Sequence, residues 1–145
     1  MKTKLVLSIL TIALIGLTAC SKSDNKSETK EAVQKVALDW LAITDSGDYA
    51  KSWDASASEL KKEIEKEDFE GVLNLVRKFL GAVESRNLKD AAYTTQLPEM
   101  PKGEYFVLKF ETIFADKKQA VETVTLMQEK DGSWKVMGYF VEDSK

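Results

Sequence analysis

Few residues in this chain of 145 can carry chemistry. It has one cysteine, Cys20, and no histidine. An internal disulfide, histidine-assisted nucleophilic catalysis and histidine-bound metals are therefore excluded. Carboxylates remain as bases, and Asp39, Asp90 and Glu111 could each act beside a tyrosine in an apolar pocket. No spacing forces two such groups together, so we predict a protein without catalytic activity, cofactor or metal; carboxylate–tyrosine chemistry is the minor alternative.

The two arginines stand out because every other basic residue is a lysine. Arginine is preferred where a planar, two-pronged contact to a carboxylate or a phosphate is needed. For Arg77 and Arg86 this leaves two interpretations open. One is an internal ion pair, for example with Glu122 or Asp90. The other is the capture of an anionic ligand.

Aromatic residues form the second set of candidates. Trp40, Trp53 and Trp134 could stack on a ligand, but aromatic side chains at helical or strand spacing usually belong to a core. We predict a core position for all three. Tyr105 and Tyr139 lie in predicted strands and, with the two arginines, complete the set of candidate binding residues.

The amino terminus has the features of a secretory signal peptide. Lys2 and Lys4 precede an apolar stretch, residues 5–19. That stretch is shorter than the roughly 20 residues needed to span a bilayer. It ends in the letters LTAC at 17–20, which resemble the lipobox of bacterial lipoproteins.

This resemblance implies cleavage between Ala19 and Cys20, attachment of diacylglycerol to the Cys20 thiol and acylation of its new amino group. Two or more acyl chains hold a protein stably on a membrane. Residues 1–19 are then a removed signal peptide, and the lipidated residue and a flexible polar tether occupy 20–27. Ser21 stands where aspartate would retain the protein, which favours the outer membrane facing the periplasm in a host with two membranes.

The remaining residues, 28–145, are predicted to form a single domain that begins with helices. Apolar residues recur at helical spacing between residues 28 and 44 and between 69 and 80. A short helix is predicted after Asp48, whose side chain can cap it. Another is predicted after Ser56, which can form a capping box with Glu59. Three to four amino-terminal helices are therefore expected.

Strand patterns follow the helices. Aromatic and β-branched residues predict strands over 105–114, 120–128 and 134–141, and residues 83–95 have a strand pattern with fewer of them. Helices first and strands afterwards predict an α+β domain. In such a domain the helices pack on one face of a curved, four-stranded antiparallel sheet.

The last two predicted strands form a hairpin around an Asp-Gly pair at 131–132. Val124 should then lie opposite Tyr139, and Leu126 opposite Met137. In this register both faces of the sheet carry apolar residues, and the helices can cover only one face. Either a partner or second copy covers the other face, or curvature and long loops do so.

An ordered set of short motifs gives the chain a family resemblance. The motifs are DWL at 39–41, DSGDY at 45–49, LPEMPKGEY at 97–105, ETV at 122–124 and DGSWKVMGY at 131–139. Together they resemble the bacterial family called "domain of unknown function 4019". The order of helices and strands is similar to the cone-shaped, cystatin-like fold of nuclear transport factor two. The resemblance implies a fold and an envelope setting, and it supplies no activity.

These features predict a lipid-anchored bacterial envelope protein that interacts with an envelope protein or with a second copy of itself. The alternative is small-ligand binding in the cavity of the cone, and isomerase or dehydratase activity is less favoured. Nucleic acid is not an expected partner, because the formal net charge is −3 and no block of lysine and arginine is present.

Overall fold

The computed structural model describes residues 22–116 and 119–144, with side chains from residue 29 onward. In the described residues four helices precede four strands, which confirms the predicted α+β class. The helices are α1 (Lys22–Asp45), α2 (Tyr49–Ala55), α3 (Ser58–Glu63) and α4 (Lys66–Leu80). The strands are β1 (Val83–Thr94), β2 (Tyr105–Phe114), β3 (Ala120–Gln128) and β4 (Trp134–Asp143).

Helix α1 buries one stripe of side chains against the sheet. Val33, Ala37, Trp40 and Leu41 are each at most 2% exposed. Their spacing of three and four residues places them on one side of the helix, as predicted. Within the described residues, no helix is both long enough and apolar enough to cross a bilayer.

The start of α1 differs from the prediction. The helix begins at Lys22, six residues before the predicted start, and so runs through most of the segment predicted as a flexible tether. Residues 22–27 contain no glycine or proline. Once the packed part of a helix has formed, further turns need no new nucleation, so a polar extension can stay helical. The predicted signal peptide and Cys20 lie outside the described residues.

The start of α3 also differs from the prediction. Ser56 is fully buried, and its hydroxyl accepts the indole N–H of Trp40 at 3.0 Å. The cap of α3 comes instead from the connection between β3 and β4: the carboxylate of Glu129 accepts hydrogen bonds from the Ser58 backbone N–H at 2.7 Å and the Ser58 hydroxyl at 2.9 Å. The predicted capping box between Ser56 and Glu59 is therefore wrong, because the Ser56 side chain is buried in the core and bonds to Trp40 instead.

Helix α4 is amphipathic and ends at a glycine. Phe69, Leu73 and Leu80 are buried. Gly81 has φ = 78°, a conformation that side chains disfavour, and a Cβ there would lie 2.5 Å from the carboxylate of Asp116. Glycine at this position lets the chain turn directly from α4 into β1.

The four strands form one antiparallel sheet in the order β1-β2-β3-β4. One face of the sheet packs against the helices and carries the main core. That core joins α1, α3 and α4 to the three later strands through Val33, Ala37, Trp40, Leu41, Leu60, Phe69, Leu73, Phe106, Leu108, Phe110, Val124, Leu126 and Val136. A smaller cluster of Leu80, Phe114 and Ala120 closes the end of the sheet beneath the last turn of α4.

The register of the last hairpin agrees with the prediction in part. Val124 lies opposite Tyr139, as predicted, but Leu126 lies opposite Val136 and not opposite Met137. The register shifts between Thr125 and Leu126, where β4 holds one extra residue. Such a bulge lets both Leu126 and Val136 face the core, where each is at most 1% exposed.

The face of the sheet away from the helices is only partly covered. Tyr105, at one corner of this face, is 1% exposed because the loop before it folds over the ring and the Pro101 carbonyl accepts its hydroxyl. Ile113 is 41% exposed and Phe140, on the edge strand β4, is 61% exposed. A loop therefore covers one corner, and the most exposed apolar side chain of this face lies at the sheet's edge.

Candidate functional site

A buried carboxylate, Glu122 on β3, is the centre of a polar cluster inside the domain. Its side chain is 0% exposed, and a buried charge requires hydrogen bonds and an opposite charge. Arg86 supplies both, from Nε to Oε2 at 2.6 Å and from Nη2 to Oε1 at 3.0 Å. Tyr139 donates its hydroxyl to Oε1 at 2.7 Å, and Thr112 donates to Oε2. Each oxygen of the carboxylate thus accepts two hydrogen bonds.

The sheet assembles this cluster by contributing one residue from each strand. Arg86 of β1 lies opposite Thr112 of β2. Glu122 on β3 is a diagonal neighbour of Thr112, and Tyr139 on β4 is a diagonal neighbour of Glu122. Diagonal neighbours on one face are within reach of long side chains. The cluster therefore depends on the register of all four strands.

The end of α1 joins the cluster through a second carboxylate. Arg86 donates a bidentate pair of hydrogen bonds to Asp45, from Nη1 to Oδ2 at 2.7 Å and from Nη2 to Oδ1 at 3.0 Å. Arg77 of α4 donates to the same Oδ1 at 2.6 Å. Asp45 is in place because the helix ends there, two residues before Gly47, whose φ of 82° reverses the chain.

Arg77 is the more buried of the two arginines, with a side chain 6% exposed. Its Nη1 lies 3.3 Å from the hydroxyl of Tyr139 and 3.6 Å from Oε1 of Glu122. Its guanidinium carbon stands 5.2 Å from the ring centroid of Phe114, a favourable cation–π distance. Through Arg77, α4 is tied both to α1 and to the sheet.

The cluster is electrically neutral, with two guanidinium groups and two carboxylates. Burial disfavours the charged form of Arg86, but the hydrogen bonds and charges of Asp45 and Glu122 outweigh burial and raise its pKa. Burial likewise opposes the charge of Arg77, and its contacts with Tyr139 and Asp45 raise the pKa. In the described part of the chain, every buried side-chain nitrogen and oxygen has a hydrogen-bond partner. The arrangement therefore ties the helices to the sheet, and both guanidinium groups are paired with carboxylates of the same domain.

Alkaline pH should weaken the fold through Tyr139. Burial, and then the charge of Glu122, raise the pKa of the Tyr139 hydroxyl against the opposing effect of Arg77. Because the folded pKa exceeds the unfolded value of about 10, this contribution to stability is complete below pH 10 and is lost as pH rises further. We expect the difference in unfolding free energy between wild type and Tyr139→Phe to be constant from about pH 7 to 9 and to shrink above about pH 10.

Urea unfolding at stepped pH measures this difference. Tyr49→Phe, outside the cluster, is the control for general effects of removing a phenol. A gap between wild type and Tyr139→Phe that stays constant to about pH 11 would contradict the buried, protonated state of the hydroxyl.

The structure brings three of the predicted site residues together and leaves one apart. Arg77, Arg86 and Tyr139 share the cluster. Tyr105 lies on the opposite face of the sheet and bonds only locally in the contacts described, to its own loop. The predicted cleavage and lipidation residues, 19 and 20, lie outside the described residues and stay predictions.

The arginines adopt the ion-pair arrangement, with Glu122 as one partner. The second carboxylate is Asp45 and not Asp90. Sequence reasoning missed Asp45 because the residues around it read as a helix stop, and it missed Thr112 because a threonine in a strand is ordinary. One signal was present. Every second residue of β3 faces the core, and Glu122 occupies one of these positions among apolar residues, so its charge should be buried and need a partner.

The carboxylates considered as bases lie at the surface. Asp39 pairs with Lys35 on the same helix at 2.6 Å, with both side chains more than 60% exposed. Glu111 pairs with Lys89 across two strands at 2.8 Å and is 40% exposed. Asp90 is exposed on β1. Exposure leaves each of them in water, without the apolar surroundings that make a carboxylate a useful base.

The three tryptophans pack in or against the core. Trp40 is 2% exposed and its ring centroid lies 5.4 Å from that of Tyr139. Trp134 packs edge-on against Phe106 at 5.2 Å. Trp53 is half-buried and also packs on the main core. The prediction of a core position is confirmed for Trp40, while Trp53 and Trp134 are partly buried and pack against the core.

The exposed apolar surface of the domain is concentrated on α4. Val72 is 53% exposed, and Leu75 and Phe79 are each 71% exposed. Beside them an open groove of about 560 Å³ runs between α4 and the end of β4, where Phe140 lies. Large exposed apolar side chains that cluster in this way commonly mark interaction surfaces.

Comparison with known proteins agrees with the resemblance seen in the sequence. A family model described as "Protein of unknown function (DUF4019)" matches residues 36–139. No curated protein sequence matches the chain closely enough to count as a relative. A solved structure from Catenulispora Acidiphila is 14% identical, with a TM-score of 0.54, over 82% of this chain and 94% of that one. This likeness shows a shared fold.

A second solved structure is a Campylobacter jejuni protein provisionally named an NTF2-like transpeptidase. It is 18% identical, with a TM-score of 0.47, and the match covers 71% of this chain and 94% of that one.

Proposed function

Because the chain belongs to the family described as "Protein of unknown function (DUF4019)", which assigns no activity, we propose a function from the chain's own residues. The protein is a lipid-anchored component of the bacterial envelope that binds a partner protein or a second copy of itself. It works without catalysis. The lipobox-like letters at 17–20 support the anchor, and the arrangement of the domain supports the interaction.

The neutral ion-pair cluster is the observation that carries the non-catalytic part of the proposal. Both arginines, the buried carboxylate of Glu122, the partly exposed carboxylate of Asp45 and the Tyr139 hydroxyl already bond to one another. These are the groups that would otherwise bind or transform a ligand between the helices and the sheet. A site built from them would first have to break strong charge-assisted hydrogen bonds.

The interaction part of the proposal is supported by the outer surface. Polar groups of the cluster are directed inward, and the exposed apolar side chains of α4 are directed outward. Water contact with such side chains is unfavourable by about 25 cal/mol per Å². A surface of this kind gains free energy when another molecule covers it.

The anchor is tested by Cys20→Ser. The variant should leave the domain folded, because the core side chains all lie within residues 33–141. It should either release the protein from the membrane or leave the precursor uncleaved, since serine cannot form the thioether. Membrane fractionation with intact-mass analysis measures both outcomes, and Ser21→Ala is the matched control. A Cys20→Ser protein that is still processed and membrane-bound would refute the lipid anchor.

The interaction is tested by crosslinking in native membranes. Amine-reactive crosslinking of the wild-type chain, followed by capture and mass spectrometry, should yield a defined adduct with one envelope protein or with a second copy. A chain that crosslinks to nothing above the level of an unrelated lipoprotein of similar abundance would count against an interaction module.

A further inference from the structure

The outer edge of β4 forms the floor of the groove beside α4. β4 is the last strand of the sheet and pairs only with β3. Val141 lies on the helix-facing side of β4 and Phe140 on the other side, yet both line the same groove. Leu75 and Phe79 of α4 line it as well. A groove lined from both faces of an edge strand runs along the edge itself, so it contains backbone groups as well as apolar side chains.

Part of this edge has no backbone partner among the described residues. Along a strand, the face of the side chain and the edge to which N–H and C=O point alternate together. Val136 faces the core, and its carbonyl accepts the Ala57 N–H beyond the edge at 2.7 Å. Tyr139 and Val141 also face the helices, so their N–H and C=O groups point off the same edge. The described part of the chain supplies them no further backbone hydrogen bond, and such an edge is a template for another extended strand.

The side chains along the edge favour a strand with alternating character. On the helix side, Leu75 and Phe79 are each 71% exposed and form an apolar wall. On the other side, Phe140 is 61% exposed, and Glu142 beside it is also exposed. A lysine or arginine fits this second side, because its stem can lie on the phenylalanine ring while its charge meets the carboxylate. The formal net charge of −3 also favours a basic partner.

The groove lies far from the predicted lipid anchor. Asp45, the last residue of α1, contacts Arg77 at 2.6 Å, within the part of α4 that lines the groove. Helix α1 has 24 residues and begins at Lys22, two residues after Cys20. The groove is therefore roughly 35 Å along α1 from the end that follows the anchor. This position favours a protein segment as the occupant over a lipid of the anchoring membrane.

We propose that the edge of β4 binds an extended segment of a partner protein as a fifth, antiparallel strand. The segment alternates apolar residues, which lie under α4, with basic residues, which lie beside Phe140 and Glu142. Backbone hydrogen bonds to Tyr139 and Val141 provide affinity, and the side chains on both faces provide specificity. A second copy of β4 would bring another Glu142 to the edge, so like charges oppose self-pairing. This inference rests on the proposed function, because it names the site and the partner chemistry of the interaction module.

A synthetic peptide of alternating valine and lysine is the probe. About seven residues cover the open edge, which extends about 17 Å over residues 139–143. Fluorescence anisotropy with the full chain in a neutral detergent should show saturable binding, with a dissociation constant on the order of 10–100 μM for so small an interface. A peptide with the same residues in two blocks is the matched control. No saturable binding up to about 1 mM, or equal binding of both peptides, would overturn the inference.

Methylation of the peptide's backbone nitrogens tests the strand pairing. In an antiparallel pair, the peptide residues whose side chains lie under α4 direct their N–H groups at β4. Methylating the valine nitrogens should therefore weaken binding about tenfold or more. Methylating the lysine nitrogens should leave binding unchanged and also prevent the peptide from pairing with itself. Equal affinities of the two methylated peptides would exclude backbone pairing, and the reverse order would contradict the antiparallel direction.

Two substitutions in the chain test the side chains. Glu142→Lys should weaken binding of the valine–lysine peptide about fivefold, as expected for an exposed ion pair, and should give a valine–glutamate peptide the higher affinity. Glu84→Lys is the matched control for total charge, because Glu84 is also exposed but lies on β1, at the other edge of the sheet. Equal effects of the two substitutions would reduce the attraction to net charge and refute a site at β4.

Photo-crosslinking in native membranes separates this inference from the proposed function. A photoreactive phenylalanine analogue in place of Phe140 should form a defined adduct with a partner protein. The same analogue in place of Leu38, an exposed leucine of α1 (39%), should form none. If amine-reactive crosslinking of the wild-type chain gives an adduct and position 140 gives none, the interaction module is kept and the β4 site is refuted. Peptide binding without any adduct would count against the proposed function and leave the strand-binding edge in place.

Discussion

Replacing Glu122 with alanine should lower the unfolding free energy by about 3–5 kcal/mol, the loss expected when one partner of a buried ion pair is removed. Arg86 would lose two hydrogen bonds and its closest counter-charge while remaining only 10% exposed. Thr112 and Tyr139 would each lose an acceptor inside the domain. A typical domain is stable by about 5–15 kcal/mol, so this one change would remove a large share of the domain's stability.

The measurement is the urea midpoint followed by circular dichroism, with Glu111→Ala as the matched control. Glu111 also pairs with a cation, Lys89, but both side chains are at least 40% exposed. Surface pairs of this kind contribute about 0–1 kcal/mol. A Glu122→Ala protein as stable as Glu111→Ala would mean that the buried cluster does not hold the fold together.

Trp40→Ala should be the second severe change, with a loss of about 3–5 kcal/mol. The substitution leaves a cavity beside Tyr139, whose ring centroid lies 5.4 Å from that of the indole. It also removes the N–H that bonds the Ser52 carbonyl at 2.9 Å and the Ser56 hydroxyl at 3.0 Å. These bonds hold α2 and the start of α3 against α1.

Two further variants divide this loss into its causes. Trp40→Phe keeps most of the ring but not the donor, so it should lose about 1–3 kcal/mol from the unsatisfied acceptors. Trp53→Ala removes a half-buried indole whose N–H donates to the Ile64 carbonyl at 3.1 Å. It should lower the unfolding free energy by less than Trp40→Ala, because water can fill the space that the indole leaves. If the losses for Trp40 and Trp53 were equal, burial would not be the reason for the first.

The predictions that succeeded concern features that depend on short stretches of chain. The order of helices and strands, the apolar stripe of α1 and the pairing of Val124 with Tyr139 follow from periodicity and from one turn signal. The predictions that failed needed information from distant residues. The capping box at Ser56 obeyed the local rule, but Ser56 bonds to Trp40 in the core, and the Glu129 carboxylate of the β3–β4 connection caps α3 in its place.

For the candidate site, too, the sequence predicted what depends on residue type and missed what depends on contacts between distant segments, as the cluster around Glu122 shows. The scarcity of arginine pointed to Arg77 and Arg86, and one of the partners proposed for them was Glu122. Asp45 was not proposed, because its role depends on the end of α1 reaching the sheet some 40 residues away in sequence.

By itself, the sequence excluded histidine chemistry and an internal disulfide, predicted the α+β fold and predicted a lipid anchor at Cys20. These conclusions depend on which residue types are present and on their local spacing. Only the tertiary structure decided that the arginines neutralise a buried carboxylate, Glu122, and a second one at the end of α1, Asp45, and that α4 presents Leu75 and Phe79 to the outside. The physical reason is that ion pairing and solvent exposure depend on distances between segments, and strand register, the bulge beside Leu126 and helix packing set those distances.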